Sequence, residues 1–147
     1  MSVTPKVRRE VIARDHSLCG WCGLYVDTRS DWYSLQHRRA RAAGGSKRLD
    51  TNLHGNLVLM CGTGTTGCHG YVEDHPLEAM TRGFNIPGNW TDPALAPALV
   101  PIQIVRHGHL VWVQLDNLGG TPRALSDVAA VAFMTMHGLI AEVPDAA

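Results

Sequence analysis

The chain reads outward from one interrupted stretch. It runs Ser34-Leu35-Gln36-His37-Arg38, resumes at Asn56-Leu57-Val58-Leu59-Met60-Cys61, and closes on Cys68-His69-Gly70-Tyr71-Val72-Glu73. Residues 31–36 mix aromatic and apolar side chains, which predicts a strand delivering His37. Arg38-Arg39-Ala40-Arg41-Ala42-Ala43-Gly44-Gly45-Ser46 then reads as a basic loop ending in glycines. Residues 56–60 form a short apolar run, a second strand. A Gly/Thr loop follows, and a helix is expected from His69 to about Arg82, stopped by Gly83. Strand, loop, strand, helix is a ββα unit.

Cysteines frame that unit. Cys19-Gly20-Trp21-Cys22-Gly23 places two thiols with two residues between them, and the glycines let the turn bend. Cys61 and Cys68 supply a second pair, separated by the loop Gly62-Thr63-Gly64-Thr65-Thr66-Gly67. Four thiolates suit a closed tetrahedral zinc site. A redox CxxC would ask for a βαβ context around it, and the sequence has none.

At 147 residues, 45% of them hydrophobic, the chain suits one domain with a small extension. No apolar run is long enough to span a bilayer. Met1-Ser2-Val3-Thr4-Pro5-Lys6 leads into charge and does not resemble a secretory signal, so a cytoplasmic, reducing setting is expected. The net charge is zero, yet the charge is divided. Up to Asn56 there are ten Lys and Arg against five Asp and Glu; beyond it, three against eight. A basic half that also carries the histidine stretch suits a polyanionic partner, although a merely solvated charged surface fits the same counts.

Taken together, Gln36-His37, Gly44-Gly45, the Asn56–Cys61 run, the loop to Cys68-His69-Gly70 and the CxxCG knuckle resemble the HNH endonuclease family, whose core is a ββα-metal finger. The likeness is to its small phage-borne branch, covers about residues 7 to 78, and continues more weakly over 87–120. It implies a DNA endonuclease dependent on a divalent ion such as Mg²⁺ or Mn²⁺. His37 would be the general base and Asn56 the residue that holds the base-bearing loop or orients the base. His69 would ligate the catalytic metal. Glu73, one helical turn beyond it, would complete the metal site. Branch members also suggest a role beside the phage terminase or portal. The chemistry suits the residue types, because imidazole titrates near neutral pH and phosphodiester hydrolysis needs a base and a cation. One position departs from the family: Gln36 stands where a metal-binding Asp or His is usual, so either Gln36 is a weak ligand of the catalytic ion or that ion rests on His69, Glu73 and the DNA phosphate. That substitution keeps a second reading open, a non-catalytic zinc-knuckle DNA-binding or adaptor protein. Arg38, Arg39 and Arg41 are the expected phosphate contacts. The other histidines, at 16, 54, 75, 107, 109 and 137, match no motif position and read as surface or loop residues.

The flanks have their own signals. Thr4-Pro5 predicts a helix start, with Val7, Val11 and Ile12 on one face and Arg8 and Arg9 off it. Asn89-Trp90-Thr91-Asp92-Pro93-Ala94-Leu95-Ala96-Pro97 reads as a connector. Residues 100–105 and 109–115 predict a hairpin turning at His107-Gly108. Ser126 should cap a last helix over 127–137, ended by Gly138 and packing through Val128, Val131, Ala132 and Met136, with a dimer contact as the minority use of that stripe. The expectation is therefore an α+β chain: a zinc-braced nuclease core over 1–86, and a C-terminal hairpin and helix over 87–147 packed on it, as monomer or dimer.

Overall fold

The computed structural model describes residues 2–41, 47–88 and 92–141. The Gly44-Gly45 loop and residues 89–91 of the connector lie outside them. The chain is mixed α+β, with two small antiparallel sheets. Helix α1 spans Pro5–Arg14; Thr4 Oγ1 accepts from Val7 N–H at 3.2 Å, and Pro5 occupies the first turn, where a missing N–H costs nothing. Strands β1 (Tyr33–His37) and β2 (Leu57–Cys61) pair in register from Tyr33↔Cys61 to His37↔Leu57. A short 3₁₀ turn, His54–Asn56, leads into β2.

The expected single helix after Cys68 is two helices. α2 covers Gly67–Asp74 and α3 covers Pro76–Thr81. Pro76 has no N–H to donate and its ring clashes with the preceding turn, so the chain bends at His75. Strands β3 (Ile102–Arg106) and β4 (His109–Gln114) form the predicted hairpin, with His107 and Gly108 both at positive φ, 50° and 76°. A third strand that the sequence reading missed, β5 (Arg123–Leu125), pairs with β4. Helix α4 spans Asp127–Met136, capped by Ser126 Oγ accepting from Ala129 N–H at 3.1 Å, with Gly138 at φ 72° just past its end.

The two sheets share one core. Val11 of α1, Leu57 and Leu59 of β2, Val72 of α2, Phe84, and Ile102, Ile104 and Val113 of the hairpin pack in a single buried cluster. The knuckle is stitched between the sheets by Gly20, whose N–H donates to Leu59 O (2.9 Å) and whose carbonyl accepts from Val105 N–H (3.0 Å). A Cβ there would lie 2.7 Å from Val58 Cγ2, so the backbone can come this close only at glycine. Helix α4 docks on a second cluster with Ile86, Leu95, Val100 and Trp112, and it does so through Ala130 and Met134. The expected stripe is the wrong face: Val128 and Met136 are about 80% exposed (82% and 79%), and Val131 is exposed as well.

Two buried arginines tie the frame together. Arg14 pairs with Asp15 at 2.7 Å and donates to the carbonyls of His54 and Leu57, while Asp15 accepts from Leu59 N–H, which fixes α1 to β2. Arg38, wholly buried, donates to five carbonyls: Gly55, Gly83, Pro97, Val100 and Pro101. Burial and the nearby Arg14 charge pull its pKa down to about 9, so it remains a cation at neutral pH.

Candidate metal cluster and histidine pocket

Two sites flank helix α2. The first is the cysteine cluster. The Sγ atoms of Cys19, Cys22, Cys61 and Cys68 all lie within 4.8 Å of one another, compatible with one zinc ion. The Gly/Thr loop makes the second pair possible. Gly62 and Gly67 take φ values of 82° and 61°, and a Cβ on Gly62 would sit 2.2 Å from Thr66 O. Accepting a hydrogen bond from Cys68 pulls Cys19 down to about 5; that bond and burial push Cys68 up. Bound zinc would deprotonate all four, since thiolate is the ligating form. Among the described residues this is the one cluster of three or more Cys, His, Asp or Glu donors within reach of a single ion.

The second site is an open pocket of about 530 Å³, lined by the N-terminal Ser2 and Val3 and by residues from four further segments. β1 contributes Tyr33, Ser34, Leu35 and His37; α2 contributes His69 and Glu73; α1 contributes Arg8; and the chain after β1 contributes Ala40 and Arg41. His37 sits at the end of β1, and its Nε2 lies 2.9 Å from Asn52 Oδ1. An amide oxygen only accepts, so Nε2 carries the proton and Nδ1 is the basic nitrogen. Burial lowers the His37 pKa below the ordinary histidine value; the Asn52 bond opposes this, and the Arg41 and His69 charges add to it.

His69 takes the opposite tautomer. Ser34 Oγ donates its hydrogen to Gly62 O at 2.8 Å, so it can only accept from His69 Nδ1, 2.5 Å away. That leaves the Nε2 lone pair facing Glu73 Oε1 at 3.4 Å. Burial lowers the His69 pKa, which favours the neutral ring. An unprotonated nitrogen and a carboxylate oxygen facing one another fit a shared cation, and the bond at the far ring nitrogen is how metal-bound histidines are commonly oriented. Ser34 and Asn52 were not assigned roles in the sequence. Ser34 stood in the strand before His37, and Asn52 in the turn before Asn56, with no spacing rule to mark either.

Asn56 lies near the pocket but does not line it. It is fully buried; Oδ1 accepts from Arg39 N–H at 2.7 Å, and Nδ2 donates to Arg39 O and Thr51 O. One amide thus ties the segment after His37 to the segment before Asn52, which is the loop-holding role of the two foreseen for it.

Four assignments are corrected. Gln36 points away from the pocket, 4% exposed, with Nε2 donating to Phe84 O at 3.1 Å. It is not placed to ligate a metal with His69, because its amide turns inward onto the Phe84 carbonyl and does not line the pocket. Arg38 spends its guanidinium on carbonyls inside the core, and Arg39 is buried against Asp50. Neither lines the pocket, so of the three expected contacts only Arg41 does. His54, read as a surface residue, is buried between Glu10 (2.7 Å) and the Asn117 carbonyl (3.0 Å).

Comparison with protein-family models, with curated proteins and with solved structures finds no match for this chain.

Proposed function

We propose that this chain is a divalent-metal-dependent DNA endonuclease of the HNH type, with a ββα-metal core braced by structural zinc. The observation that carries the reading is the pair of imidazoles in one pocket with complementary free nitrogens, Nδ1 of His37 and Nε2 of His69. The first suits proton abstraction and the second suits a metal ligand. His69 and Glu73 would hold the divalent ion, which when bound would neutralise charge developing on the phosphate. His37 Nδ1 takes a proton from water as the water oxygen bonds to phosphorus and the P–O bond to the leaving sugar oxygen breaks. Asn52 keeps the His37 ring in the basic tautomer, Asn56 fixes the two loops that bring them together, and Arg41 faces the phosphate.

Plasmid nicking tests the proposal. The wild-type chain is expected to relax supercoiled DNA with Mg²⁺ or Mn²⁺. His37→Ala should lose at least about 10²-fold in rate, the usual contribution of a general base, while keeping its zinc and fold. No cleavage in any divalent metal sinks the proposal. The second reading, a non-catalytic zinc-braced DNA-binding protein, is favoured by one observation. With Gln36 turned into the core, the pocket offers two protein ligands, His69 and Glu73. It predicts DNA binding without cleavage. A place beside phage terminase rests on the family likeness alone.

A further inference from the structure

Removing Arg38 and Arg39 from the phosphate-binding set leaves a charge problem. A phosphodiester brings one negative charge into a pocket whose lining already includes the Glu73 carboxylate. The guanidinium groups lining the pocket are Arg41 and, from a separate element, Arg8. We propose that Arg8 of α1 is a phosphate-binding residue of this site, taking the non-bridging oxygens of the nucleic-acid backbone beside His37. The proposal rests on the reading of the pocket as a phosphodiester site.

The surroundings of Arg8 distinguish it from its neighbour. Arg8 is half-buried, with its guanidinium carbon 5.9 Å from the Tyr33 ring centroid. Arg9, one position on and about 100° further round the helix, is exposed and does not line the pocket. Contact with an aromatic face restrains a long side chain before any ligand arrives, so less freedom is lost on binding. Tyr33 is the first residue of β1, the strand that ends in His37. The ring that holds Arg8 and the base are therefore carried on one rigid element, with alternate residues on the same face. A planar guanidinium offers two parallel N–H donors to two oxygens of one phosphate, which a lysine cannot do. The contact carries no base information, so it predicts affinity without sequence preference.

The test is DNA binding followed by fluorescence anisotropy on a labelled short duplex, without divalent ions, over a series of KCl concentrations. Arg8→Gln should reduce the slope of log K against log salt by about 1, the signature of one lost phosphate contact. Arg9→Gln should leave the slope unchanged. Arg8→Lys should keep the slope but lower kcat/KM for nicking with Mg²⁺ or Mn²⁺, because charge remains and the fork is lost. Zinc content and circular dichroism confirm that each variant is folded. A wild-type slope in Arg8→Gln overturns the assignment, and so does an equal loss in Arg8→Gln and Arg9→Gln. Wild-type protein that binds DNA but never cleaves it refutes the nuclease reading alone, and the slopes still decide the role of Arg8.

Discussion

Helix α2 begins with two adjacent residues that go to opposite kinds of site. Cys68 turns into a tight cluster of four sulfurs, and His69, about 100° further round the helix, turns into an open pocket. The cluster is compact: its four sulfurs lie within 4.8 Å of one another and would fill the tetrahedral shell of a bound zinc ion, leaving no place for substrate. The pocket is open, lined by two imidazoles, the Glu73 carboxylate and two guanidinium groups, and on the proposed function a phosphate would occupy the space between them. On the proposed function, one short helix would couple a brace to a reaction site, and the brace would fix where His69 points. Donor count and openness separate the two sites: four thiols within reach of one ion in the cluster, one imidazole and one carboxylate facing each other in the pocket.

The largest effect that could break this comparison is loss of the brace. A structural zinc contributes about 10–16 kcal/mol, comparable to the whole stability of a domain this size. Chelation, or Cys68→Ala, should therefore unfold the chain. Circular dichroism would follow this, together with the emission of Trp21, which sits between Cys19 and Cys22 and packs edge-on against Phe84 at 5.0 Å. A chelated chain that keeps its fold would mean that the cysteines are not a brace.

A smaller effect sharpens the chemical half. The proposed reaction needs neutral His37, so the rate should rise with pH through its pKa, which burial sets below the ordinary value of about 6.5. A bound cation nearby acts in the same direction. Asn52→Asp puts a carboxylate against Nε2 and should move the acid limb of kcat/KM upward by about 1 pH unit. Asn52→Leu removes the one bond that raises the pKa and should move the limb down. Limbs that stay fixed in both variants would show that His37 is not the titrating base.

Much of the frame was legible because its signals are local. Thr4, Ser126 and Gly138 mark helix ends, and His107-Gly108 marks a hairpin, through interactions within a few residues. The cysteines and the two histidines were legible as chemistry at characteristic spacing. Arg38 was not, because its five carbonyl partners come from residues 17 to 63 positions away, and nothing next to it distinguishes a buried guanidinium from a solvated one. Helix α4 is apolar almost all round, so its period could not choose between the Ala130 and Met134 face and the Val128 and Met136 face; the partner elements chose. Pro76 is the opposite case, since its break is local and readable in the sequence.

The most direct test of the division along α2 is His69→Ala, measured for zinc content and plasmid nicking on the same sample. The account predicts one zinc per chain, a wild-type fold, and loss of Mg²⁺- or Mn²⁺-dependent cleavage by about 10²-fold or more. Cleavage at the wild-type rate, or loss of the zinc together with the activity, would contradict it.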